Sequence, residues 1–307
     1  MNILKTKFFQ SRIVKTPLLF LYFRTKWLIA HLIRNDELYI KIEYFRIFHR
    51  KINLRNPQSF NEKLNWLKLY DRNPLYSTLA DKYKVKEYVA RIIGDQYVVP
   101  NYGVWDSYNE IDFSKLPEQF VLKATHDSGG AFICKNKSTF DYKGIGEKLT
   151  ANLNRNYFWV TREWVYKNSN PRIIADMFLD DGTDHELTDY KFWCFSGEPK
   201  IMYITNKGEK IYENFYDTEF NPIYINHGFP RREHEYSKPL EFELMLQLAA
   251  KLSVGIPFVR VDFFDIRGRV YFGEFTFYDW AGLQPFKDYE TDIKLGDYIV
   301  LPTKEHD

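Results

Sequence analysis

The 307-residue chain lacks most of the features that identify a protein at a glance. It has only two cysteines, Cys134 and Cys194, each inside a strand-like stretch ("AFICKN" and "FWCFSG"). Two thiols so placed do not build the disulfide framework of a secreted domain and read as buried free thiols in a reducing compartment. The apolar run near the N-terminus, "PLLFLYF" at 17–23, is cut off by Arg24 and Lys26. It is far short of the roughly 20 residues that span a bilayer, and no small-residue cleavage site follows it. This run is therefore not read as a transmembrane helix, a secretory leader is not expected, and a cytoplasmic location is. There is no internal repeat, low-complexity tract or long Pro/Gly/Ser linker.

Catalytic signatures are missing too. GxxxxGK[ST] is absent, as are HRD and DFG. This removes the P-loop and protein-kinase phosphate grips. The seven histidines are scattered without HExxH spacing, and no D-x-D occurs. The latter weighs against a metal-dependent nucleotide-sugar transferase. His126 and His227 read as structural or substrate-adjacent.

What is present is a globular composition, 45% hydrophobic, sufficient for one large domain or two modest ones. Aromatics reach 18%; core packing explains most of them, and Trp159, Trp164, Trp193 and Trp280 are candidates to stack on sugar faces. The net charge of +2 hides an asymmetry: residues 1–35 hold seven basic groups and no acid, while the remainder holds 36 basic against 41 acidic residues. The basic head has two open readings. One is an amphipathic helix on an anionic membrane surface, giving peripheral contact at the inner face of the membrane. The other is a packing helix with a basic solvent side. No nucleic-acid partner is expected.

Periodicity places a helix after Ser59, where Ser59 and Glu62 have capping-box spacing and Leu64, Leu67 and Leu69 begin an apolar stripe. A second helix is expected over about 78–93, ending at Gly94, and a third over about 143–167. Strands alternate with glycine loops in "EQFVLKATHDSGGAFICKNKS", "PRIIADMFL" and "TDYKFWCFSGEPKIMYITNKG", the last turning at Ser196-Gly197. The helix "PLEFELMLQLAAKLS" leads into a closing hairpin. The pattern is α+β, two sheet-and-helix lobes preceded by a helical N-terminal extension.

That hairpin, "VRVDFFDIRGRVYFGEFTF" at 259–277, carries charges among core-like residues. Val259, Val261 and Phe263 share one face, which sets Arg260 and Asp262 together on the other. A three-residue loop of Arg267, Gly268 and Arg269 would place Asp262 opposite Glu274 and Arg260 opposite Thr276; a two-residue Arg267-Gly268 turn would place Asp262 opposite Gly273. Two opposed carboxylates need a positive group between them. An edge hairpin with one solvated face is the plainer alternative. In "FVLKATHDSGG", Lys123 ends a strand and Ser128, Gly129 and Gly130 follow, an arrangement that can grip phosphates and is equally a solvated lysine before a turn.

In this order, lysine and glycine loop, "IIADMFL", then R-x-D with an acid on the next strand, the sequence resembles the ATP-grasp superfamily. The segments "SFNEKLNWLKLYDRNPLYSTLADKYKVKEYV", "FVLKATHDSGG", "DYKFWCFSGEPK", "NFYDTEFNP" and "FVRVDFF" look like the TupA-like ATP-grasp family, over about residues 50–300. The resemblance implies an ATP-grasp fold with ATP between two α+β lobes: a basic extension at 1–50 and an ATP-grasp domain at 51–307, its small lobe about 95–175 and its large lobe 176–300. It implies ATP and Mg²⁺ as cofactors. Lys82 and Lys123 would hold phosphates under the loop Ser128, Gly129 and Gly130, and Asp176, Met177, Phe178 and Leu179 would cup adenine. At Asp176 the family more usually has Glu. Asp189 would contact ribose or metal, Lys191 a phosphate, and Arg260 the transferring phosphoryl group. Asp262, Glu274 and Thr276 would ligate magnesium, with Thr276 standing where many relatives have Asn. The implied activity is carboxylate–amine ligation through an acyl phosphate. The substrates would be an amine and a uronic acid of a glycan or of a nucleotide- or lipid-linked sugar, in capsule or O-antigen biosynthesis. A glycosyltransferase and an ATP-dependent sugar kinase are the alternatives.

Overall fold

The structure is a computed structural model that describes residues 30–127, 130–182, 187–206 and 211–303. Most of the basic head (1–29), Ser128 and Gly129 lie outside the described residues. Helix α1 (Asp36–Phe48) opens on Asn35, whose side chain accepts from the Leu38 amide at 2.8 Å. Helix α2 (Phe60–Tyr70) opens on the reciprocal Ser59–Glu62 capping box, and Leu64, Leu67 and Leu69 are buried along it.

The helix expected over 78–93 is two, α3 (Pro74–Ala80) and α4 (Lys84–Ile93). Asp81 between them adopts extended backbone, and its Oδ1 accepts from the amides of Tyr83 and Lys84, each at 2.9 Å. A side chain that caps the new start competes with continuing the old helix. The helix expected over 143–167 also divides, into α5 (Tyr142–Leu153), α6 (Phe158–Thr161) and a 3-10 turn at Trp164–Tyr166. Arg162 ends α6 in the left-handed region at φ 56°, which no helix can continue through.

Two antiparallel sheets follow. The smaller has strand order β1-β4-β2-β3, from β1 (Asn101–Trp105), β2 (Phe120–Ala124), β3 (Ala131–Cys134) and β4 (Ile173–Met177). Its core joins Phe120, Leu122 and Ala175 to Leu149 of α5. The larger has order β10-β9-β5-β6-β7-β8, from β5 (Asp189–Phe195), β6 (Glu198–Asn206), β7 (Tyr212–Tyr216), β8 (Pro222–Ile223), β9 (Phe258–Asp265) and β10 (Val270–Thr276). Helix α7 (Phe242–Ser253) packs against β5, β6 and β9, and α8 (Tyr289–Asp297) lies beside α2. The N-terminal helices share the core of the larger sheet: Tyr44, Leu64 and Val89 cluster with Phe192, Val261 and Phe263. Each such side chain contributes about 1.5–3 kcal/mol by burial. Among the described residues no helix is long and apolar enough to cross a membrane.

The closing hairpin turns on two residues, not three. Ile266 and Arg269 exchange backbone hydrogen bonds at 2.9 and 3.2 Å around Arg267 and Gly268, both at positive φ (56° and 82°). This is the primed turn that matches strand twist. Val270 therefore pairs with Asp265, yet Asp262 still faces Glu274 and Arg260 faces Thr276, because the register slips by one at Gly273. The three-residue turn is not a requirement; a β-bulge does the same work. A Cβ at Gly273 would lie 3.1 Å from the Asp262 carbonyl oxygen, so the bulge closes tightly on glycine. The β5–β6 hairpin repeats the device: Ser196 and Gly197 turn at φ 51° and 93°, and a slip beside Pro199 brings Lys191 opposite Tyr203. Proline, lacking an N–H, suits such a break in the ladder.

Candidate functional site

The hairpin registers gather polar groups on one face of the larger sheet. Lys191, Asp262 and Glu274 form one row across β5, β9 and β10, and Arg260 and Thr276 sit in the next. Alternate residues Val259, Val261 and Phe263 are wholly buried on the opposite face, so the polar set cannot rotate away without inverting the core.

Arg260 is the hub. Its Nε and Nη2 fork onto the two Asp262 oxygens at 2.7 Å each, Nη2 also donates to Glu274 at 3.0 Å, and Nη1 donates to Asp279 at 2.6 Å and Tyr203 at 3.2 Å. Lys191 donates to Asp262 at 2.6 Å and lies 3.2 Å from Asp189. Burial works against the Arg260 charge, but Asp262, Tyr203 and Asp279 hold it well above the usual guanidinium range. For Glu274, burial pushes upward and is outweighed by Lys82, Arg260 and Lys191, which bring its carboxyl down to about 2. Glu163, by contrast, is pushed up to about 7 by burial despite the nearby Lys68.

The donor set fits magnesium. That ion is commonly held by one or two carboxylates with phosphate and water oxygens completing its shell, and Asp262 and Glu274 stand opposed with only cations between them. Among the described residues no group of three or more His, Cys, Asp or Glu forms a full protein cage. Thr276 shares this face two residues beyond Glu274.

Lys82 donates from Nζ to the Asp127 carbonyl at 2.8 Å and stands 3.5 Å from Glu274, linking the loop after β2 to the carboxylate row. Lys123 and Lys86 both pair with Asp176, at 3.0 and 2.9 Å. The carboxylate expected to meet adenine is thus engaged by two lysines, and the Met177 amide is committed to the Pro100 carbonyl at 2.8 Å. Leu179 packs with Val99 and Tyr271, with Met177 against them, giving a small apolar patch; Phe178 lies between them in sequence. Gly130 is crowded: a Cβ there would meet Asn152 and Asp127 at 2.9 and 3.0 Å.

Some sequence expectations do not survive. Trp193 is fully buried and its Nε1 donates to Asp279 at 3.1 Å, so it cannot stack on a sugar. Trp159 stacks on His31, with ring centroids 4.7 Å apart, and is only partly buried, which leaves its expectation untouched. Cys194, by contrast, is the buried free thiol that the sequence predicts; burial pushes it up to about 12, which suits packing and not nucleophilic attack. Sequence reasoning missed Asp279, Tyr203 and Lys86. Asp279 follows β10 on an irregular turn with no local signature, and Tyr203 depends on the slip beside Pro199.

A family model described as TupA-like ATPgrasp matches residues 62–300. Solved structures similar in part include the D-alanine–D-alanine ligase of Bacillus anthracis complexed with ATP (15% identity over 72% of this chain and 65% of that one, TM-score 0.40) and that of Helicobacter pylori (16%, 79% and 70%, 0.42). A RimK domain ATP-grasp protein of Sphaerobacter thermophilus is also similar (10%, 75% and 70%, 0.41). The chain thus spans just under two thirds of the length of the Bacillus anthracis ligase. No curated protein matches it. With a family model covering most of its length, the chain belongs to the TupA-like ATP-grasp family.

Proposed function

We propose that the protein is an ATP-dependent carboxylate–amine ligase acting through an acyl phosphate. The observation that carries this reading is Arg260 forked onto Asp262, with Glu274 opposed, Lys191 paired with Asp262 and Lys82 beside Glu274. In the first step a substrate carboxylate oxygen attacks the γ-phosphorus of ATP, the bond to the bridging oxygen breaks, and ADP leaves. In the second an amine nitrogen attacks the acyl carbon, the acyl C–O bond breaks, and phosphate leaves as the amine loses its proton.

Arg260 steadies the phosphoryl group in both steps, since its planar fork stays charged at any physiological pH. Lys82, Lys123 and Lys191 hold phosphate oxygens. Asp262 and Glu274, with Thr276 alongside, would hold magnesium, which when bound would offset phosphate charge. Asp176 to Leu179 line the adenine end and Asp189 the ribose, within a small lobe at about 95–175 and a large lobe at 176–300. No protein nucleophile is required, which is consistent with two buried thiols.

The substrates we favour are a uronic acid of a surface polysaccharide precursor and an amine, brought together at the membrane by the basic head. Purified protein should release ADP and phosphate only when a uronic acid and an amine are both present. ADP without free phosphate would replace ligation by phosphotransfer to a hydroxyl, and UDP release from a UDP-sugar would replace it by glycosyl transfer.

A further inference from the structure

Helix α2 buries a polar stripe as well as an apolar one. Asn61, Asn65 and Lys68, at helical spacing, are each exposed by 1% or less. All three donate to backbone carbonyls of the segment that follows β10. Asn65 Nδ2 reaches the Gly282 carbonyl at 2.7 Å, Lys68 Nζ reaches that of Ala281, and Asn61 Nδ2 reaches that of Gln284 at 3.1 Å. Lys68 also donates to the Thr161 carbonyl at 3.0 Å and to Asn65 Oδ1 at 3.1 Å. The gripped segment is unusual. Trp280, Ala281 and Gly282 lie consecutively in the left-handed region, at φ 47°, 56° and 56°, a conformation that persists only where surroundings enforce it. Contact is close enough that a Cβ on Gly282 would lie 2.9 Å from the Leu64 Cβ. Immediately before this run stands Asp279, buried, accepting from Trp193 at 3.1 Å and from Arg260 Nη1 at 2.6 Å.

We infer that Asp279 is a positioning residue for Arg260, and that the polar stripe of α2 fixes its place by holding residues 280–282 in their left-handed run. The inference rests on the ligase reading of Arg260. Asp262 alone would fix the fork in its own plane, but it is itself a magnesium-facing group. Asp279 gives Arg260 a second anchor on the opposite Nη, so the guanidinium keeps its direction when Asp262 turns to a metal. Lys68, through Ala281, sets where that anchor stands. A buried ammonium directed at three acceptors serves this better than an apolar side chain would, because the left-handed carbonyls would otherwise be left without donors.

The test compares Asp279→Asn, Lys68→Met, their double variant and Gly282→Ala with the wild-type full chain, by magnesium-dependent ADP formation and by MgATP binding. Turnover is normalised to folded protein. Asp279→Asn should lower turnover about 100-fold, the cost of a small misplacement near the reacting atoms, with MgATP affinity within about twofold of wild type. Lys68→Met and Gly282→Ala should each lower it at least tenfold, and the double variant should be no slower than Asp279→Asn. Multiplying losses in the double variant, or full turnover in Asp279→Asn or in both Lys68→Met and Gly282→Ala, would overturn the inference while leaving the ligase reading intact. Parallel losses of turnover and of MgATP binding would also overturn it, as damage to the site in general. A wild-type protein that neither binds nor consumes ATP would overturn the nucleotide reading itself, and the inference with it.

Discussion

Replacing Arg260 by Lys keeps the charge and removes the fork, which makes it the sharpest probe of the site. The guanidinium presently serves four partners through three nitrogens. An ammonium can follow one or two of those directions. Asp262 would remain paired with Lys191 at 2.6 Å, and Glu274 would retain Lys82 at 3.5 Å. Asp279 would not be so compensated: it is 1% exposed, and its remaining donors are Trp193 at 3.1 Å and Tyr203 at 3.4 Å. Breaking a buried pair costs about 3–5 kcal/mol. With the lysine returning part of the Coulomb term to the site, a loss of about 2–3 kcal/mol is expected, or a thermal midpoint lower by roughly 4–10 °C. Turnover should fall about 100-fold or more, because one ammonium cannot reproduce the bidentate grip. Thermal denaturation and ADP release measure the two effects separately. An Arg260→Lys protein with an unchanged midpoint and turnover within twofold of wild type would refute the hub role.

Asp262→Asn and Glu274→Gln should each abolish magnesium-dependent ATP turnover, and retained turnover under a magnesium titration would remove the metal assignment. Gly273→Ala should destabilise by about 1–3 kcal/mol through crowding against the Asp262 carbonyl at 3.1 Å, read as a lower urea midpoint at unchanged slope. Glu163 has a folded-state pKa of about 7 against 4.5 for the free side chain. The folded protein therefore keeps a proton that the unfolded chain has released between those values, and its contribution to stability declines as pH rises across that window. Glu163→Gln should flatten this decline, worth about 3 kcal/mol in full, when unfolding at pH 5 is compared with pH 8. Deleting residues 1–35 should reduce cosedimentation with anionic liposomes; unchanged binding would sink the membrane role of the basic head.

Much of this protein was legible from its residues alone. The capping box at Ser59–Glu62 specifies the start of α2 because both partners lie within one turn. Period-two alternation in "FVRVDFF" dictates that Arg260 and Asp262 share a face opposite Val259, Val261 and Phe263, since burial leaves no other assignment. The motif order along the chain carried the family resemblance. These are local or ordered properties that need no knowledge of what packs where.

What the linear pattern could not decide was how strands align and what closes the site from a distance. Both site hairpins turn on two residues and then slip by one, at Gly273 and beside Pro199. A bulge reflects strand curvature and packing against the rest of the sheet, which turn chemistry does not encode. The breaks at Asp81 and Arg162 likewise arose from side-chain capping and chain reversal that helical periodicity cannot register. Asp279, Tyr203 and the α2 stripe acquire their meaning only through contacts over large sequence separations. Sequence determined which side chains could do phosphate and metal chemistry. Tertiary structure decided which of them meet, because register and long-range carbonyl contacts are set by the packed whole.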